Sequence, residues 1–247
     1  MSFENDTKAN KIICLLFNWL EKRNSKIDLA WLNRQAKEIY HSASEKTLFT
    51  SFSAASRYLN QDKLDLSSEE LRAALALETG WNPTNWTLEQ VGRTILLLSF
   101  SAENATKYLA TLDKIIEAAD VGEVIACYQS LSLLPYPKMF QLRAAEGVRS
   151  NMTSVFNAVA LNNTYPAQYL DNLAWNQMVL KALFVGSSLK FIYGLERRNN
   201  QQLSQMLVDY ACERLSANRT VSSELWELVM PFQPETVARL RKTTIEV

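Results

Sequence analysis

The sequence predicts an all-α protein, an antiparallel array of helices with short joints. Three observations carry this. Apolar residues recur at three- and four-residue intervals along most of the chain, the spacing of amphipathic helices. Only six glycines and six prolines occur in 247 residues, and none of either precedes Gly80, so helix breakers are scarce. No stretch alternates apolar and polar residues as a half-buried strand does.

In order, residues 6–23 place Ile12/Ile13, Leu16 and Trp19/Leu20 on one face. A second helix over 27–41 turns Leu29, Leu32, Ala36 and Ile39 inward, with His41 as a cap at its end. Ser42 and Glu45 read as a capping box opening a third helix to about Leu59, and residues 60–67 are a polar loop. Ser67/Glu70 and Thr87/Gln90 are further capping boxes. The loop between them, WNPTNW at 81–86, is either a binding lip or a plug of tryptophans between helix layers. A helix from Ser101 to about Ala119 follows, and Gly122 precedes another that runs to Leu134. Pro135-Tyr136-Pro137 is a stiff break. It is the candidate sub-boundary (134–137) within what reads as one helical domain, 1–247.

A long helix is expected from Lys138 to Leu161 and a second over Tyr165–Gly186, with Pro166 in its first turn and Gly186 at its end. The latter is apolar around almost its whole circumference, so Trp175–Phe184 should be among the most buried segments. Residues 201–217, 222–230 and 235–242 complete the helices, and a HEAT-type array of helix pairs is the expectation beyond residue 166.

Composition excludes several functions. Twenty-six basic and 26 acidic residues give no net charge, against a nucleic-acid surface or a polybasic membrane patch. Cys14, Cys127 and Cys212 are far apart in sequence and odd in number, which is neither a disulfide framework nor a zinc site and fits a cytoplasmic protein. No apolar run approaches a membrane span, and no signal peptide is read. A single histidine removes the usual general base and metal ligand, and no glycine-rich phosphate loop is present. No metal or cofactor is expected.

What remains is a set of polar groups on helices that otherwise look buried. On a continuous 138–161 helix, Leu142, Val148, Met152 and Val155 face one side, and Arg143, Glu146 and Asn157 share a polar strip. Arg149 would reach Glu146 at i, i+3. The next helix adds Asn176, Gln177 and Lys181 beside Trp175. Buried polar groups need partners, so these residues are expected to meet. They form either an ion-pair network fixing helix register or a pocket for an anion or polyol. The Arg197-Arg198 pair is a weaker phosphate candidate.

The runs LLPYP (133–137), AAEGVRSNM (144–152), YPAQY (165–169), AWNQMVLKALFVG (174–186) and GLERRNN (194–200), with DYACERL and ELWELV near the C-terminus, resemble the EboA family of metabolite traffic proteins from bacterial ebo gene clusters. Cys212, Leu215 and Asn199 depart from its pattern, standing for a histidine, a tryptophan and a small residue; the first speaks against required histidine chemistry there. The resemblance implies a cytoplasmic helical protein working beside a membrane prenyltransferase-like protein and sugar-processing enzymes to make or move a small metabolite. Two functions follow: a non-catalytic binding or scaffold protein, or an enzyme acting on a phosphorylated or prenylated small molecule through Arg143, Glu146, Arg149 and Lys181.

Overall fold

The computed structural model describes residues 7–23 and 28–243. The starting positions expected for the first two helices, 6 and 27, lie outside them. The described residues form fifteen α-helices and two 3-10 turns, with no strand beyond an isolated bridge between Lys63 and Thr87. The chain divides into two compact units, 1–165 and 166–247. The break at Pro135–Pro137 lies inside the first.

The first unit contains α1 (Lys8–Lys22), α2 (Leu29–Ser42), α3 (Glu45–Tyr58), α4 (Ser68–Leu77), α5 (Leu88–Ser99), α6 (Ala105–Ala118), α7 (Val121–Ser130), α8 (Gln141–Arg149) and α9 (Thr153–Ala160). Its axis is α5, which packs against α1, α2, α3 and α7. Every residue of α5 except Gln90 is buried. The approach to its neighbours is close: a Cβ on Gly92 would collide with Leu59 Cδ1. Capping boxes are present at Ser67/Glu70 and Thr87/Gln90, and a third at Asp120/Glu123. The third helix opens instead at Ser44, whose side chain accepts from Thr47 N–H. Trp81 and Trp86 are plugs. Both are buried, with Trp81 ring-to-ring against Trp19 at 5.5 Å and Trp86 at 6.0 Å.

The expected helix over 138–161 does not exist as one element. A 3-10 turn, Pro137–Phe140, leads into α8, and the chain turns at Ser150 before α9. Ser150 Oγ accepts from Met152 N–H, a local side-chain bond that competes with continued helix. α8 and α9 then fold against each other. The wheel drawn through both is therefore wrong: Leu142 is 80% exposed and Met152 53%, while Ala144, Gly147 and Val148 are buried.

The second unit contains α11 (Asn172–Val185), a 3-10 turn (Leu189–Phe191), α12 (Leu195–Arg198), α13 (Gln201–Ser216), α14 (Ser223–Val229) and α15 (Pro234–Thr243); α10 (Tyr165–Tyr169) spans the division. The expected 165–186 helix is interrupted between Tyr169 and Asn172, because Asp171 caps a new helix by accepting from Ala174 N–H. Gly186 closes it in the left-handed region, φ 77°. Trp175, Asn176, Met178, Val179 and Ala182 are buried. Phe184 is 77% exposed, Leu173 and Gln177 are exposed, and Leu180 is half-buried. The helix is apolar all round but not buried all round.

Candidate functional site

Of the polar residues singled out from sequence, Arg143, Glu146, Arg149 and Asn157 belong to the first unit and Trp175, Asn176, Gln177 and Lys181 to the second. In the first unit Arg143 is the hub. Its Nε donates to Asp113 at 2.6 Å, Nη2 to Glu117 at 2.8 Å and Nη1 to Glu146 at 3.0 Å. Hydrogen bonding to Asp113, opposed by some burial, holds the guanidinium proton more tightly than usual. Asp113 and Glu117 come from α6, so this fork ties α6 to α8. Glu146 thus pairs with Arg143 and not with Arg149. Arg149 is exposed and makes no ion pair among the described residues. Asn157, on the separate helix α9, is half-buried.

A second charge cluster went unseen in the sequence. Arg93 and Glu89 pair within α5, and Arg93 Nη2 lies 3.6 Å from Glu123 of α7. Arg93 Nε also donates to the Phe52 carbonyl at 3.3 Å, and the guanidinium sits 5.4 Å from that ring. All three charged residues are buried. Beside them Cys127 is fully buried, and burial pushes its thiol pKa well up, the setting of a structural cysteine.

In the second unit the polar spot of α11 is explained. Asn176 and Asn200 exchange amide hydrogen bonds at 3.3 and 2.9 Å, while Asn200 also caps α13 through Leu203 N–H. Arg198 lies over the Trp175 ring at 4.7 Å and donates to the carbonyls of Pro166 and Leu170 and to Asn172 Oδ1. It closes the C-terminal end of α10, where carbonyls lack helical partners. Gln177 is exposed, and burial lowers the Lys181 pKa. The run GLERRNN is thus clamped by its second arginine and its last asparagine. Gly194 begins it at φ 76°, and a Cβ there would fall 2.9 Å from Ala167 Cβ, so only glycine fits.

This clamped run forms one wall of an open cleft of about 720 Å³. Leu189, Ile192, Leu195, Leu228 and Pro231 supply apolar lining; Lys190, Arg197, Glu196, Glu227 and Asn199 supply polar groups. The opposite wall, α14, is anchored by Glu224. Its carboxylate accepts from Ser188 Oγ at 2.7 Å and from the N–H groups of Leu189 and Lys190 at 3.1 and 3.2 Å. Burial works against this charge, but those hydrogen bonds prevail and the pKa is lowered. Arg197 is exposed, its guanidinium 5.5 Å from the Tyr193 ring. Asn199 Nδ2 donates to the Leu228 carbonyl at 2.8 Å, whereas its Oδ1 is buried without a hydrogen-bond partner among the described residues. The walls come from segments about thirty residues apart, so no single helical wheel reveals them. The one available signal was the GLERRNN run itself.

Among the described residues no group of three or more histidine, cysteine, aspartate or glutamate side chains is placed to hold a metal, and no helix is long and apolar enough to cross a membrane. The fold and cleft define an all-helical protein with a small-molecule-sized opening. The sequence model of the family described as metabolite traffic protein EboA matches residues 12–230. The chain belongs to that family, and a role in metabolite traffic, in general terms, comes with membership. No curated protein and no solved structure matches it.

Proposed function

We propose that this chain binds a small amphiphilic metabolite, phosphorylated or prenylated, in the cleft of its second unit and hands it on without transforming it. The observation carrying this reading is the cleft. Its volume lies within the range typical of ligand sites, about 300–1,000 Å³. Its apolar lining suits a hydrocarbon portion, and Lys190 and Arg197 offer cations to a phosphate. Trp175 and Asn176 act here as supports: through Arg198 and Asn200 they hold the wall that carries Arg197 and Asn199. The partners we propose are other ebo-cluster proteins, including the membrane prenyltransferase, met on the cytoplasmic side, in a pathway of secondary metabolism.

The enzyme reading through Arg143, Glu146, Arg149 and Lys181 is the weaker one. Three donors of Arg143 are each committed to a carboxylate, which leaves a surface ion-pair network rather than an anion grip. Native mass spectrometry of protein purified from its host tests the proposal. A small-molecule adduct is expected on the wild type and is weakened in Arg197→Gln. An adduct unaffected by Arg197→Gln but abolished by Arg143→Gln would reverse the assignment.

A further inference from the structure

We propose that the exposed strip of α11 is a docking face for an anionic lipid membrane, on which the helix lies along the bilayer surface without crossing it. The inference does not depend on where the metabolite binds.

The strip follows from residue spacing. At about 100° per residue, Leu173, Leu180 and Phe184 fall within an arc of about 40°. They lie opposite the side that buries Trp175, Val179 and Ala182. Leu173 is 57% exposed and Phe184 77%, while Leu180 is half-buried. Holding two large apolar side chains of one helix face in water forgoes the gain of burying them. Gln177 and Lys181 run along one edge of the strip.

The charge of the segment suits anionic lipid. From Asn172 to Leu195 the sequence has two lysines, Lys181 and Lys190, and no aspartate or glutamate. The Glu224 carboxylate that meets this stretch is taken up by Ser188 and two backbone N–H groups. Lys190 is exposed beside the exposed Phe191, 4.9 Å from its ring. The chain that leaves the helix thus repeats the pairing of a cation with an exposed phenylalanine. Leucine and phenylalanine on one face, with lysines beside them, is the make-up of a helix lying in the lipid interface. The apolar groups enter the acyl boundary and the lysine heads stay at the phosphates. This is no polybasic patch, because the apolar strip supplies most of the attachment.

Area argues against a second copy on this face. The largest of the three side chains offers about 200 Å² when fully buried, and a stable protein interface takes about 800 Å² from each partner. A bilayer sets no such minimum, since each inserted side chain contributes by itself. The most exposed large apolar residue of the first unit, Leu142, lacks the same charge setting. It lies one turn from Glu146, on a helix whose Arg143 is held by three carboxylates, and anionic lipid is repelled there. It serves as the internal control.

Full-length protein is floated with vesicles of phosphatidylcholine alone and of two parts phosphatidylcholine to one part phosphatidylglycerol. Binding to the anionic vesicles should be about fivefold tighter, the effect of one lysine near a charged surface. Phe184→Ser should weaken it about tenfold. Phe184→Trp should keep it, because tryptophan suits the lipid interface. Leu142→Ser should leave it unchanged. Should Phe184→Ser fail to fold, Leu173→Ser takes its place with the same expected loss. Floating with neither vesicle, or with both alike, would overturn the proposal. So would undiminished binding of Phe184→Ser, or an equal loss in Leu142→Ser. A dimer in sedimentation that Phe184→Ser dissociates would also overturn it, by placing a second copy on this face.

Discussion

Helices α5 and α11 are a useful pair to set side by side. By composition α11 is the core helix: ten of the thirteen residues from Leu173 to Val185 are apolar. Yet Leu173 and Phe184 face solvent. Helix α5 carries a glutamate and an arginine, and it is buried on every side by α1, α2, α3 and α7. The difference lies in the neighbours. Four helices surround α5, and its two charges neutralise each other one turn apart before Glu123 adds a second carboxylate. Within its unit α11 packs chiefly on α13, and Leu173 and Phe184 on its other side stay exposed among the described residues. A hydrophobic circumference permits burial but does not produce it.

The same contrast separates the polar groups. Around Arg93 each charge has a partner within the fold, as a buried network requires. In the second unit Arg197 lines an open cleft, exposed and with no carboxylate partner among the described residues. The first cluster is closed on itself; the cation of the second is the one we propose for a ligand.

The largest effect should come from breaking the closed cluster. Arg93→Leu leaves Glu89 and Glu123 buried without a counter-charge, and about 3–5 kcal/mol of stability should be lost, read as the urea midpoint. A loss under 1 kcal/mol would mean that α5 is far less enclosed than described.

A pH dependence of intermediate size should come from Glu70. The Arg23 guanidinium, bonded to both its carboxylate oxygens, holds its pKa at about 2 despite partial burial. The folded value lies below the ordinary one near 4.5. The pair therefore stabilises fully above that value, and the stabilisation is lost as pH falls towards 2. About 1–2 kcal/mol should disappear across this window, and Glu70→Gln should flatten the dependence. Urea melts at pH 6, 4 and 3 provide the check.

Arg143→Gln should cost less than about 1 kcal/mol, because its three carboxylate partners are 30–65% exposed. Comparing its thermal midpoint with that of Arg93→Leu separates the two kinds of arginine cluster directly. Smallest of all, Phe184→Ser on the open side of α11 should change stability by no more than about 0.5 kcal/mol. A clear destabilisation would show that this face is covered in solution.

Much of the fold could be read from residue spacing. The helical class, the Ser67/Glu70 and Thr87/Gln90 boxes and the end of α11 at Gly186 all depend on neighbours within one turn. The failures share a cause as well. Ser150 and Asp171 break helices through their own side chains, and both sit inside runs whose apolar periodicity continues unbroken across them. Once Ser150 turns the chain, Arg143 and Asn157 no longer share a face, and the strip built on both dissolves. Arg93 and Glu89 carry no local sign of burial, because charged side chains on a helix ordinarily mark a solvent face. The cleft was invisible because its walls, residues 189–199 and 224–231, meet only through tertiary packing. GLERRNN stands out as a run, but the roles of its two arginines are opposite: Arg198 is bound into the structure, while Arg197 is exposed at the cleft beside the Tyr193 ring.

The claim that the cleft is where this protein meets its metabolite is tested most directly by mapping a ligand onto the amide spectrum. Isotope-labelled protein is titrated with a small-molecule extract of its host, and the perturbed residues are assigned. Changes should gather on residues 189–199 and 224–231, with Arg93 and Arg143 undisturbed. Changes centred on Asp113, Glu117, Arg143 and Glu146, or none anywhere, would contradict the account.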